Sequence, residues 1–216
     1  MFKKIKLLLV IFLFSLPSMA LTVSDGQYFE TLEFYNNDVV DVLGGTIDNL
    51  TLYEQSLANV INTEGDFLSD GAIWEINAFD NSHISLSGGN IYEMNLYGDS
   101  ITDVIGGRVT LLNVSGNAEL YLSAGLYRGT VLDLKDDTAQ IHMYCTDYSF
   151  NQLFQQFSLS GTWSNGDRFY IGVDNDTYNN INFHVIESND IPEPIILCFL
   201  ILGIITILQM DKYHEI

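Results

Sequence analysis

The chain has 216 residues, with 28 acidic against 8 basic side chains and two cysteines. A length of this order holds one domain with a small appendage. So acidic a chain lacks the positive face that nucleic acid needs, which argues against that partner. Cys145 is the only cysteine outside the apolar ends, so no internal disulfide is expected.

Residues 1–20, MFKKIKLLLVIFLFSLPSMA, have the three parts of a secretory signal peptide. Lys3, Lys4 and Lys6 form the charged start, residues 7–16 the apolar stretch, and Ser18-Met19-Ala20 the small-residue site. Cleavage is expected after Ala20. The short apolar run argues against a membrane anchor, and the absence of a following cysteine argues against a lipid anchor.

Residues 21–156 repeat with a period of eighteen. Blocks begin at Asp41, Phe67, Ser85, Asp103 and Tyr121. The fifth residue of each is glycine: Gly45, Gly71, Gly89, Gly107 and Gly125. The second is apolar (Val42, Leu68, Leu86, Val104, Leu122), and so is the seventh in all but Tyr127 of the last block (Ile47, Ile73, Ile91, Val109). Positions ten and twelve pair as Leu50/Leu52, Ile76/Ala78, Met94/Leu96 and Leu112/Val114, then slip by two to Leu132/Leu134. Residues 32–39 repeat the second half of the pattern ahead of the first block, and eight residues, 59–66, interrupt the series once.

Apolar residues at ten and twelve around a polar one have the period of a strand. The Gly, Asn and Asp clusters at four to five and fourteen to fifteen punctuate like turns. One such block cannot bury its own apolar face, but stacked blocks share a continuous core. The fold class expected is therefore all-β: a parallel β-solenoid of about six to seven coils, each with about three short strands. All three prolines lie at Pro17, Pro192 and Pro194, outside the repeats, as an uninterrupted ladder requires. Helical repeats would favour Ala, Leu, Glu and Lys rather than this composition. An antiparallel sandwich would leave the regular glycine spacing unexplained.

Residues 157–190 break from the repeat. Ser164-Asn165-Gly166-Asp167 reads as a hairpin turn. Strands over 159–163, 168–173 and 181–186 are expected to form a small three-stranded cap over the open end of the stack, followed by a tether.

Residues 191–216 open with Ile191-Pro192-Glu193-Pro194 and continue with an uncharged apolar run over 195–208. At fourteen residues the run is shorter than the roughly 20 that span a bilayer comfortably. Its terminal position after two prolines still reads as a short transmembrane helix. Together with the signal peptide, this tripartite end resembles the PEP-CTERM class of exported bacterial proteins. The match is at Pro192, Glu193 and Pro194 and the apolar run behind them. The family's tail is rich in arginine, whereas this one has Lys212 and His214 against Asp211 and Glu215. Units such as Ser87-Gly88-Gly89-Asn90-Ile91 and Tyr97-Gly98-Asp99-Ser100 also resemble repeats common in that class. The resemblance implies an exosortase as partner, cutting near the motif, with the membrane engaged through 195–208 before processing. It further implies a secreted or cell-surface location, anchored at the C-terminus transiently or permanently.

Candidate chemistry is sparse. A uronate lyase needs a strong base or cation, usually Arg or Lys, to neutralise and deprotonate the uronate, and the repeats hold only Arg108, Arg128 and Lys135. Glycosidases need two carboxylates at a set separation. Carboxylates such as Glu75, Glu93, Asp99 and Asp103 are so abundant that no pair stands out. No enzymatic activity is expected. No metal site or cofactor is expected either. His83, His142, His184 and His214 show no ligand spacing, and Asp174-Asn175-Asp176 lacks the rest of a calcium loop. Asp80, Asp99 and Asp136-Asp137 recur at turn positions and leave weak divalent-cation binding open beside a solvated edge.

Tyr35, Tyr53, Phe79 and Tyr97 share block position thirteen, although the next block has Ser115 there. Because ten and twelve point inward, thirteen is expected to point outward. The column would then either stack on sugars or stabilise the edge of the stack. The expected role is a structural or adhesive component of the cell surface or extracellular matrix. The alternatives are an adhesin gripping exopolysaccharide through those four rings and, less supported, a polysaccharide-active β-helix enzyme.

Overall fold

The computed structural model describes residues 18–62, 72–126, 129–136, 138–153, 156–174 and 177–186. Most of the expected signal peptide, the Pro192-Glu193-Pro194 motif and the apolar run 195–208 lie outside them. Among the described residues no helix is long and apolar enough to cross a membrane.

The chain is a parallel β-solenoid of about six coils. Each coil holds a short and a long strand. The short ones are β1 (Ala20–Val23), β3 (Val39–Val42), β5 (Leu57–Val60), β7 (His83–Leu86), β9 (Ile101–Val104) and β11 (Glu119–Leu122). The long ones are β2 (Tyr28–Phe34), β4 (Thr46–Leu52), β6 (Ala72–Ala78), β8 (Asn90–Leu96), β10 (Arg108–Val114) and β12 (Thr130–Leu134). Short strands pair only with short and long with long, in two parallel ladders. At the usual strand spacing of about 4.8 Å per coil, six coils rise roughly 29 Å.

The apolar pattern is the core. Val42, Ile47, Leu50 and Leu52 are fully buried, as are their counterparts Leu86, Ile91, Met94 and Leu96. Burying one such side chain contributes about 1.5–3 kcal/mol. Instead of three strands per coil there are two, because position seven shares one strand with the ten–twelve pair. That strand bends at position eight: Ile47 is buried, Asp48 and Asn49 are both partly exposed, and Leu50 is buried again. The paired register accordingly passes over Asp48, Trp74 and Tyr92. Two successive outward residues make a corner where strict alternation would make a straight strand.

The slip by two is present, with Leu132 opposite Leu112 and Leu134 opposite Val114. The interruption falls later than expected. Val60 pairs with Val42 on one side and Leu86 on the other, so it fills the slot assigned to Leu68. The excess residues lie between Val60 and Ala72, and Leu68 and Gly71 are outside the described residues. Extra residues between two strands cost little entropy, whereas misplacing an inward residue would flip the strand.

The glycine turns stack tightly. Gly107 has φ +77, and a Cβ there would lie 3.0 Å from the backbone carbonyl of Gly88. At the preceding position, a Cβ on Gly106 would come within 2.2 Å of the Ser87 carbonyl oxygen. Both the left-handed backbone and the close approach therefore select glycine.

The stack ends in β13 (Gln140–Leu153), β14 (Gln156–Trp163), β15 (Arg168–Asp174), a 3-10 turn (Thr177–Asn180) and β16 (Ile181–Val185). The first part of β13 continues the short-strand ladder on β11, and β15 continues the long one on β12. The hairpin at 164–167 forms: Gly166 N–H donates to the Trp163 carbonyl, and Trp163 N–H to that of Asp167. Its third antiparallel strand, however, is the second half of β13. The segment 181–185, expected in that role, instead pairs in parallel with residues 141–145. The open edge of β13 offers it a row of backbone partners in the register of one more coil. Cys145 is buried and free, and burial pushes its thiol pKa up.

Candidate functional site

The column at position thirteen is built by the backbone. The amides of Tyr53, Phe79, Tyr97, Ser115 and Lys135 each donate to a carbonyl of the coil before, those of Phe34, Leu52, Ala78, Leu96 and Val114 respectively. Each side chain is thereby held one coil rise above the last. The rings of Tyr35, Tyr53, Phe79 and Tyr97 stack with centroids 4.8, 5.3 and 4.8 Å apart and planes within 10°. The Tyr35 hydroxyl donates to Glu33 at 2.8 Å, and this bond raises its pKa.

That spacing limits the chemistry. Successive rings lie one strand spacing apart, so their inner faces cover one another. A sugar stacks by laying its C–H face on a ring face, and no sugar fits between rings 5 Å apart. Among the described residues, what no other ring of the column covers is the ring edges and the outer sides of the two end rings, Tyr35 and Tyr97.

Two further ring arrays arise where no periodic signal pointed. At position eight Trp74 stacks on Tyr92 at 4.4 Å, and Trp74 is 52% exposed. On the outer face of the short-strand ladder, Tyr121 stacks on His142 at 4.7 Å and Tyr144 on His184 at 4.6 Å. His142 Nδ1 and His184 Nε2 are 3.1 Å apart, a hydrogen bond in which one nitrogen carries the proton and the other its lone pair. His83 Nε2 lies 2.8 Å from Asp103 on the same face. The fold thus sets three histidines on one face and brings two of them, His142 and His184, into contact. The Tyr121 hydroxyl donates to Glu119, which pushes its pKa up to about 12.

The carboxylates are largely engaged between coils. Glu54 accepts the Asn36 amide N–H at 2.8 Å, and Asp80 that of Glu54 at 3.1 Å. Asp136 accepts the Gly116 N–H at 2.7 Å, which holds its carboxyl below the usual range. Glu75 and Glu93 accept from the amide ladder in which Asn113 donates to Asn95 and Asn95 to Asn77. Among the described residues no three His, Cys, Asp or Glu side chains converge as a metal seat. Arg108 borders a groove of about 410 Å³ over the glycine turns, which also meets Asn165 and Asp167 of the hairpin. Lys135 pairs with Asp133. Arg128 and Asp137 lie outside the described residues, as do Asn175 and Asp176 of the calcium-like tripeptide.

Comparison with known proteins adds no family to this geometry: no family model, curated protein or solved structure matches the chain.

Proposed function

We propose that the chain is exported to the cell surface, where its solenoid is a structural or adhesive element of the extracellular matrix. Its Pro192-Glu193-Pro194 segment is read by an exosortase, and residues 157–190 act as the cap of the stack and its tether. The observation that supports the scaffold role most directly is the self-stacked column Tyr35–Tyr53–Phe79–Tyr97. Its ring faces are spent on holding coil to coil, as are the turn carboxylates Glu54 and Asp80. A chain that commits its outward side chains to its own repeat forms a stiff rod with solvated, strongly negative flanks.

Export rests on the signal-peptide pattern and sorting on the resemblance at residues 191–208. Surface biotinylation of intact cells tests both. The wild-type chain is expected in the labelled surface fraction, and a Pro192→Ala/Pro194→Ala variant in the membrane fraction. A chain found only in the cytosol would overturn the reading.

A further inference from the structure

Among the described residues, the ring column has a rung with no ring, at Ser115. We propose that the gap at Ser115, between Tyr97 and Lys135, is a binding slot for one neutral pyranose ring of a glycan.

The backbone ladder continues unbroken through the gap. Ser115 N–H donates to Leu96 and Lys135 N–H to Val114, as their counterparts do higher in the column. Only the side chain is missing, because the Ser115 hydroxyl lies 3.5 Å from the Leu96 carbonyl and fills no ring position. One rung further on, the Lys135 ammonium reaches Asp133, two residues back. Tyr35 leans the same way, its hydroxyl reaching Glu33, also two residues back. Lys135 thus leans toward the residue two positions back, as Tyr35 does in its own coil.

Tyr97 forms the roof of the slot and the Lys135 stem its floor, two coil rises or about 9.6 Å apart. One ring fits between them at ordinary stacking distance on each side, and two do not. A pyranose placed there continues the ladder and lays its C–H face on the side of half-buried Tyr97 turned away from Phe79. The rim supplies partners for hydroxyl groups. Asp133 and Lys135 stand on the strand side. On the turn side Asn117 donates to Asp99 at 2.9 Å.

Charge selects a neutral sugar. Asp99 stands two residues after Tyr97, the Lys135 ammonium is already paired with Asp133, and the chain carries 28 acidic against 8 basic side chains. A uronate carboxylate would meet like charges at close range.

The slot specifies the adhesive part of the proposed surface role and rests on that reading for the source of the glycan. Binding is measurable on the isolated chain wherever it is displayed, so failure here leaves the localisation experiment standing. The test is saturation-transfer NMR on the full chain, with oligomers of glucose, mannose, galactose and N-acetylglucosamine, and oligogalacturonate as the anionic arm. Transfer is expected to ring C–H protons of at least one neutral oligomer and not to oligogalacturonate. Tyr97→Ala and Ser115→Tyr should each weaken binding at least tenfold, and Trp74→Ala should leave it unchanged. Ser115→Tyr adds a fifth ring to the ladder, so its melting temperature should match or exceed the wild type, which separates lost binding from lost fold. The proposal is overturned by absence of transfer across the neutral panel, by equal transfer to oligogalacturonate, by wild-type binding in Ser115→Tyr, or by loss in Trp74→Ala.

Discussion

The indole Nε1 of Trp163 donates a 2.8 Å hydrogen bond to the carbonyl of Gly125, across 38 residues of chain. The hairpin is thereby fastened to the last of the glycine turns. Trp163 is fully buried and packs against Phe169, with ring centroids 4.2 Å apart. Trp163→Phe keeps an aromatic ring but leaves a buried carbonyl without this donor, a loss of about 1–3 kcal/mol. Trp163→Ala adds a cavity and should cost about 3–5 kcal/mol. Urea unfolding checks both, and unchanged midpoints would contradict the docking.

The glycine turns should be sensitive to a single methyl group. Gly107→Ala places a left-handed residue, at about 1–2 kcal/mol, and brings its Cβ to 3.0 Å from the Gly88 backbone. Gly26 has nearly the same φ, +76, with no atom within 4 Å of the added Cβ. Gly26→Ala should therefore lose only the conformational part. Thermal unfolding is expected to rank Gly107→Ala below Gly26→Ala. Equal losses would mean that close stacking of the turns contributes nothing.

The ring column should be worth measurable stability. Phe79 lies between Tyr53 and Tyr97, so Phe79→Ala removes two stacked pairs. At about 0.5–1.5 kcal/mol per pair, the expected loss is roughly 1–3 kcal/mol. Tyr35→Ala removes one pair and should cost about half as much. Denaturant melts of the two variants check the ratio. A larger loss at Tyr35 would place the stabilisation elsewhere.

Tyr121 gives the solenoid an alkaline signature. Its hydrogen bond to Glu119 raises the phenol to about 12 in the fold, against an ordinary 10.0. Because the folded value lies above the unfolded one, the neutral phenol contributes its stabilisation fully below pH 10. That contribution is lost as pH rises through 12. Near-ultraviolet titration should show Tyr121 among the late-ionising tyrosines, beside Tyr28 and Tyr35, which are also raised, and Glu119→Gln should move Tyr121 back toward the ordinary value. An identical titration curve in the variant would contradict the bond.

The two-ladder stack was legible because glycine at position five and the apolar pair at ten and twelve return in register. Gly89, Ile91, Met94 and Leu96 have the corner and core duties that spacing assigned them. The site was only half legible. Tyr35, Tyr53, Phe79 and Tyr97 repeat every coil once the loop is discounted, so their column could be read off. Trp74 and Tyr92 occupy position eight in only two coils, flanked by Asp48 and Thr110, and leave no periodic trace. The histidine array arises from strands paired outside the eighteen-residue period: Tyr121 lies opposite His142 and Tyr144 opposite His184. Pairing of that kind depends on how the stack ends, and local pattern does not encode it. The displacement of Leu68 by Val60 has a similar cause, since an insertion can sit on either side of a buried residue without changing composition.

Delivery of the solenoid to the surface is the central proposal, and mass spectrometry of the surface-exposed chain tests it most directly. The predicted product begins at Leu21 and ends near Pro192–Pro194. A surface chain still intact from Met1 through Ile216 would contradict it.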